Sequence, residues 1–376
     1  MEKADIELIK TSTDFFLSNK ILLESYIKNN EFPIEFWKKF TEYITPILYH
    51  DDAKTTLFNI CCVFENLGKI IPDTGIGISM ASHFGLSVPI LEKYASSSIK
   101  NSFEYNQIKK GEKIIAFAIT EMQGGTDTFN NKTSIYFDKT ENGYILNGSK
   151  WAITNMPIAS YILTFAKLEE SKSLVVLLVD TKLSGVKIGK DMKPECMKTS
   201  PIGPVTFKNV KIQKEFLLND AGKGHLVLKD AFFRERLIMG YFTVGIMQFL
   251  LHRMIQYANK RKINGVKIIK EQYIQKRITD SKIALEASRN LAYNVLKKYI
   301  NNEYEDIDAS ITKIFVSNSL VAISQEALRI FGINGFKKND MLTQLLIDSL
   351  AFTVAGGTEE IHRKVILNQT LREIGI

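Results

Sequence analysis

The sequence predicts an α+β fold, with a compact block of short β-strands held between two helical blocks. Three observations predict it. Up to about residue 110 the apolar residues fall at helical spacing, as in "DAKTTLFNICCVFENLGKII". From about residue 115 the texture changes to short β-branched and aromatic runs punctuated by Gly, Asn and Asp. After "LNDAGKGH", residues 218–225, helical spacing returns and continues to the last residue. Strands framed by helices are the pattern of an α+β chain. The expected units are a helical region at 1–115, a β-region at 116–225 and a helical bundle at 226–376.

Each block has its own signals. "SVPILEKYASSSIKNSFEYNQIKKG" continues the first helical block. The strands are expected in "KIIAFAIT", "TSIYFDKTENGYILNGSK", "YILTFAKL", "SLVVLLVD", "GVKIGKDM" and "PVTFKNVKI". "FDKTENGYIL" reads as a hairpin, because Asn142-Gly143 can take the positive φ angles of a tight turn. The chain of 376 residues is 45% hydrophobic, enough for a large core or two to three packed units. A net charge of +8 is spread in short clusters such as "KRK" at 260–262, without the aromatic-interleaved basic patch that reads nucleic acid. Three cysteines with no CxxC spacing suggest a reducing, cytoplasmic setting. No run of 18 apolar residues is visible, so no membrane span is expected, and "MEKADIELIK" has no signal-peptide character. The histidines show no metal-ligand spacing.

Five motifs carry chemistry. In "AITEMQGGTD", residues 118–127, a strand runs into a Gly-Gly turn with Thr120, Thr126 and Asp127 at its mouth, where hydroxyls and free N–H groups can hold an anionic ligand. The others are "NGSKWAITN" (147–155), "KRKINGVKIIKEQ" (260–272), "RIFGINGF" (329–336) and "DSLAFTVAGGTEEIHR" (348–363). In this order and spacing they resemble the acyl-CoA dehydrogenase flavoproteins, over roughly residue 75 to the end. The resemblance implies an N-terminal helical domain, a middle β-domain and a C-terminal four-helix bundle that together bind FAD, in a homodimer or homotetramer. It places Thr120 against the flavin ring, Gly125 and Thr126 at flavin phosphate and substrate, Trp151 and Thr154 near the flavin, and Arg261 and Gln272 on FAD, often across a subunit interface. It also places Arg329, Gly332 and Gly335 near the pyrophosphate and Thr358 on FAD. Some positions depart from the family. The aromatic residue usual two places before Thr154 is replaced by Ala152, and strand alternation turns the neighbouring Trp151 to the opposite face. Asn264 replaces an aromatic, Arg329 a glutamine and Ile333 a glycine.

The implied reaction needs a carboxylate base in a dry pocket, where desolvation raises its pKa. Many members of the family place it directly before the Gly-Thr of the C-terminal turn, which is Gly356 here. Glu359 and Glu360 follow that turn and read as helix-starting residues. The isovaleryl-CoA and long-chain members carry the base in an "ERL" sequence, matched by "FFRERLIMG", residues 232–240. Around Glu235, positions Leu228, Ala231, Phe232, Ile238, Met239 and Phe242 form an apolar stripe at helical spacing. A carboxylate there is costly to bury without a partner or a task. Glu235 is therefore the candidate base, with Arg236 to orient it; the competing reading is a buried ion pair with an arginine of another helix, or simply a charge on a partly exposed face. The expected activity is FAD-dependent α,β-dehydrogenation of an acyl thioester carried by coenzyme A or a carrier protein, with an electron-transfer flavoprotein as acceptor. The alternatives are a flavin monooxygenase of the same fold and a non-catalytic subunit of a flavoprotein assembly.

Overall fold

The computed structural model describes all residues except 1–2, 49–51, 126–130, 219–221 and 339. The first block runs through helices α1 (Lys3–Asn29), α2 (Ile34–Leu48), α3 (Ala53–Ile70), α4 (Thr74–Met80), α5 (Val88–Tyr94), α6 (Ser97–Lys100) and α7 (Phe103–Lys109), with one π-helical stretch, Ala81–Ser87, joining α4 to α5. Asp52 and Asp73 cap α3 and α4 by accepting from backbone N–H groups of the first turn. Phe16, Phe36, Trp37, Phe40 and Phe84 are fully buried and make this block's aromatic core. His83 is buried as packing: its Nε2 meets the Ile108 carbonyl at 3.1 Å and its Nδ1 accepts from the Ile115 N–H at 3.2 Å, stitching the helices to the first strand.

The strands follow the sequence runs closely. They are β1 (Ile115–Ala118), β2 (Ser134–Asp138), β3 (Gly143–Thr154), β4 (Tyr161–Leu168), β5 (Leu174–Asp180), β6 (Val186–Ile188) and β7 (Ile202–Gln213). They form one seven-stranded sheet in the order β1-β4-β2-β3-β7-β6, with β5 also on β4. β4 takes β1 and β2 as parallel neighbours and β5 as an antiparallel one. In the β2–β3 hairpin the left-handed residue is Asn142, at φ 49°, and Gly143 already pairs with Asp138.

The last block is built on α8 (Gly224–Lys260), followed by the small hairpin β8 (Lys262–Ile263) and β9 (Val266–Lys267), then α9 (Gln272–Ile300), α10 (Asp306–Phe331), α11 (Met341–Val354) and α12 (Glu359–Glu373). Asn264 and Gly265, at φ 50° and 81°, make the two-residue turn of that hairpin. The apolar stripe expected on α8 is only part of its burial. From Leu237 to Met247 every residue is buried, so α8 is the central rod of the molecule and not an amphipathic surface helix. It can sit there because two glycines let backbones touch: a Cβ on Gly68 of α3 would lie 2.2 Å from the Phe242 carbonyl oxygen, and one on Gly245 would lie 2.0 Å from the Glu65 carbonyl oxygen. The expectation that no segment has the length and apolarity of a membrane span is corrected. Thr74–Tyr94, Gly224–Lys260 and Asp306–Phe336 all qualify by length and composition, and in the first two most of the apolar window is buried inside the fold. All-round burial in a large core demands the same residues as a bilayer does.

Candidate active site

The Gly-Gly turn between α11 and α12 is positioned from several sides. Asp348 of α11 is buried and accepts from Thr74 Oγ1 at 2.6 Å and from the Met197 N–H at 2.8 Å, tying α11 to α4 and to the β6–β7 loop. α11 then stops at Val354, and Gly356 and Gly357 take φ 69° and 100°, angles that residues with side chains rarely adopt. Glu235, in the fourth turn of α8, faces this turn. A Cβ placed on Gly356 would stand 3.5 Å from Cδ and Oε1 of Glu235. The carboxylate of α8 thus fills the space into which a side chain at position 356 would project.

Glu235 lines a narrow cleft of about 40 Å³ whose other walls include Ile78, Met239, Gly240, Val316, Phe352 and Gly356, with Arg236 and Lys313 as the cations. Burial raises the Glu235 carboxyl above its ordinary range, while the charges of Arg236 and Lys313 pull it back down. Among the described residues no ion pair joins Glu235 to an arginine of another helix, and the residue is half-buried. Arg236 Nε instead approaches the Gly356 carbonyl at 3.4 Å, and its guanidinium lies over the Phe232 ring at 5.3 Å. Arg234 turns the other way, is buried, and has Asp230 at 3.6 Å. Two residues that sequence reasoning missed belong here. Lys313 of α10 donates to the carbonyls of Thr353 at 3.0 Å and Gly357 at 2.9 Å. Buried His362 of α12 lies 3.3 Å from the Gly356 carbonyl and 3.2 Å from Ser310 Oγ. Burial lowers Lys313 to about 8 and His362 to about 4. The sequence offered no signal for either: both sit in helices whose pattern already explains a Lys and a His as ordinary polar residues.

The candidate FAD residues gather into two groups. Thr120, Gly125, Trp151 and Thr154 lie around the ends of β1 and β3. The Trp151 N–H donates to the Thr120 carbonyl at 2.9 Å, and a Cβ on Gly125 would meet Thr120 Cγ2 at 3.5 Å. Thr126, like Asp127, lies outside the described residues. Here the alternation argument about Trp151 is overturned. β3 pairs Lys150 with Val205 and next Ile153 with Gly203, so it carries one extra residue, and Ala152 takes φ 55°. That bulge resets the pleat. Lys150 and Ile153, three apart, both point into the core, while Trp151, Ala152 and Thr154 share the outer face. Behind the turn, buried Lys150 and Glu121 form an ion pair at 2.9 Å, and Glu121 also accepts from the Lys132 and Thr133 N–H groups at 2.7 and 3.0 Å.

Arg261, Gln272, Arg329, Gly332 and Gly335 form the second group, where α8 ends, α9 begins and α10 ends. Tyr257 stacks on Phe331 at 4.1 Å and accepts from Asn334, binding the ends of α8 and α10 together. Arg261 and Gln272 are exposed, and Arg329 pairs with Glu326. Gly332, at φ 55°, caps α10 and Gly335 is packed on Leu328 and Phe331. Ile263, Tyr273, Ile333 and Phe336 are exposed apolar residues in the same region. Thr358 is the N-cap residue of α12, its carbonyl accepting from the Ile361 and His362 N–H groups.

Residues 116–210 match the acyl-CoA dehydrogenase middle domain and residues 222–371 the acyl-CoA dehydrogenase C-terminal domain. The chain is 26% identical over 356 residues to a mitochondrial isovaleryl-CoA dehydrogenase of Arabidopsis thaliana, covering 92% of this chain and 86% of that protein. It is 26% identical over 339 residues to an L-prolyl-(peptidyl-carrier protein) dehydrogenase of a Serratia species, covering 88% and 87%. It is 32% identical over 268 residues to a 3-(aryl)acrylate reductase of Clostridium sporogenes, covering 70% of each. In three dimensions it superposes on the FAD complex of PigA with a TM-score of 0.92 at 23% identity, over 100% of this chain and 98% of that one.

Proposed function

The chain belongs to the acyl-CoA dehydrogenase family, and from that premise we propose that it is an FAD-dependent oxidoreductase acting on the Cα–Cβ bond of an acyl thioester, with Glu235 as the base. The observation that carries the assignment is the carboxylate's place 3.5 Å from where a side chain on Gly356 would begin. Two alternative positions for a base on the chain thus converge on one point in space.

The residues present suit an FAD. Thr120 lies beside Trp151 and the Gly124-Gly125 turn, with Thr154 at the end of the same strand as Trp151, and the second group offers exposed Arg261, Gln272 and Arg329. Bound at the first group, FAD would supply the acceptor for the β-hydrogen. Everything else falls to this chain. Ionised Glu235 takes the α-proton; its burial makes it a stronger base than a solvated carboxylate. Arg236 and Lys313 favour its charged form. Ile78, Met239, Val316 and Phe352 keep water from the reacting carbons. The same raised carboxyl, once protonated, can return its proton, so the arrangement also suits the reductive direction.

The thioester carrier is coenzyme A or a carrier protein, the latter matching the substrate named for the Serratia relative. The second group serves the FAD of a neighbouring copy in a homodimer or homotetramer; its exposed Ile263, Tyr273, Ile333 and Phe336 support an interface there. An electron-transfer flavoprotein is the proposed electron acceptor. The test is anaerobic titration of the FAD-loaded protein with short, branched and aryl acyl thioesters, on coenzyme A and on pantetheine. Bleaching of the flavin band by one of them is the expected result, and no bleaching by any of them removes the reading. Oxygen uptake yielding a hydroxylated product would point to the monooxygenase alternative instead.

A further inference from the structure

We propose that Lys313 is a positioning residue for Glu235: it straps the Gly-Gly turn across the cleft and places a fixed cation opposite the base. This deepens the preceding reading and rests on it. The need for a strap follows from the turn itself. Residues 356 and 357 have no side chains and sit at positive φ, so their carbonyls are the turn's own means of attachment. Those carbonyls are met by basic side chains from three helices. The Gly356 carbonyl receives Arg236 from α8 and His362 from α12, and the Gly357 carbonyl receives Lys313 from α10. Lys313 is the one that also holds Thr353, in the last turn of α11, so its ammonium bridges the break between helix and turn.

The second half of the argument is charge. Lys313 lines the same cleft as Glu235 and its charge favours the ionised carboxylate, while two of its N–H groups are committed to the carbonyls. It therefore acts on Glu235 through its field and not as a capping partner that would quench the base. The other groups in this field are Arg236 beside Glu235 on α8, with Tyr304 and Asp306 facing Arg236, and Glu359, Glu360 and His362 of α12 around Lys313 and the turn.

The test compares wild type with Lys313→Met, Lys313→Arg, Glu235→Gln and the double variant Glu235→Gln/Lys313→Met. The readouts are the rate of flavin reduction against pH and, independently of turnover, the Glu235 carboxyl titration by ¹³C-glutamate NMR of the holoprotein without substrate. Without its cation, Glu235 should titrate about one unit higher, which shifts the rising limb of the rate profile to higher pH and slows reduction roughly tenfold on the acid side. Lys313→Arg should recover most of this, and the double variant should be no slower than Glu235→Gln alone. An unchanged Glu235 titration in Lys313→Met, or losses that multiply in the double variant, would overturn the proposal in favour of a purely structural lysine. If Lys313→Met does not fold, Lys313→Gln answers the same question, since it removes the charge and keeps a donor. If no thioester reduces wild type, the functional reading fails, while the carboxyl titration still decides whether Lys313 governs Glu235.

Discussion

Two Gly-Gly turns in this molecule are built from the same parts and behave in opposite ways. The turn after β1 has a buried glutamate and a buried lysine behind it, and the turn after α11 has a half-buried glutamate and lysine. At the first, Glu121 and Lys150 meet at 2.9 Å, and two backbone N–H groups and the Gln123 amide also donate to the carboxylate. Burial alone would raise Glu121, but the hydrogen bonds from Thr133 and Lys150 and the lysine's charge outweigh it and hold the carboxyl down to about 2. At the second, Lys313 gives its bonds to carbonyls, and Glu235 keeps only a distant attraction and ends raised. A carboxylate whose partners are all in contact is a brace. A carboxylate that feels cations without being bonded to them remains able to take a proton.

The comparison can be broken in several ways. The largest effect is expected at the base: Glu235→Gln should slow flavin reduction by about 10³-fold with little change in thermal stability, whereas Glu121→Gln should do the reverse, as stopped-flow and melting curves would show. Next, Lys150→Met should cost about 3–5 kcal/mol in urea unfolding, because it strands a buried charge, and Glu121→Leu with Lys150→Met should regain most of that. Acid separates the two turns. His362 has its folded pKa depressed to about 4, so its contribution is complete above about 6.5 and lost as pH falls through about 4. Glu121, also depressed, contributes above about 4.5 and loses that as pH falls toward about 2. Unfolding followed against pH should therefore weaken first in the upper window, by up to about 1.4 kcal/mol per pH unit for each buried histidine, and His362→Gln should shrink that limb without abolishing it, because His83, lowered by burial to about 3, shares the window. The smallest effect is steric. Gly356→Ala should cost about 1 kcal/mol for its positive φ and bring a methyl against Glu235, while Gly124→Ala, with open space around it, should be nearly silent.

Much of this was legible in the sequence, for identifiable reasons. The strand runs "YILTFAKL" and "SLVVLLVD" are apolar, β-branched and bounded by turn residues, and they became β4 and β5 almost residue for residue. Glu235 was legible because a charge inside an apolar helical pattern is anomalous. The setting of Trp151 was not, since a bulge at an alanine with positive φ leaves no compositional mark and strand alternation gives the opposite answer. Nor were Lys313 and His362, whose roles arise from carbonyls of a turn more than five residues away in one case and from tertiary contact in both. Helix α8 misled in a different manner: its apolar residues were read as one stripe, when contact with α3 through Gly68 and Gly245 buries the rod on every side.

That rod also acts as a ruler. Glu235 and Arg261 are separated by one unbroken stretch of α8, which at 1.5 Å per residue sets them about 39 Å apart. A single residue inserted between them would lengthen the span little but turn the β8–β9 hairpin about 100° relative to the base. The segment between them should therefore accept substitutions on any side where packing permits and reject insertions or deletions everywhere. A variant library carrying one-residue indels from Arg236 to Lys260 should lose folded protein uniformly, with no tolerant position along the rod.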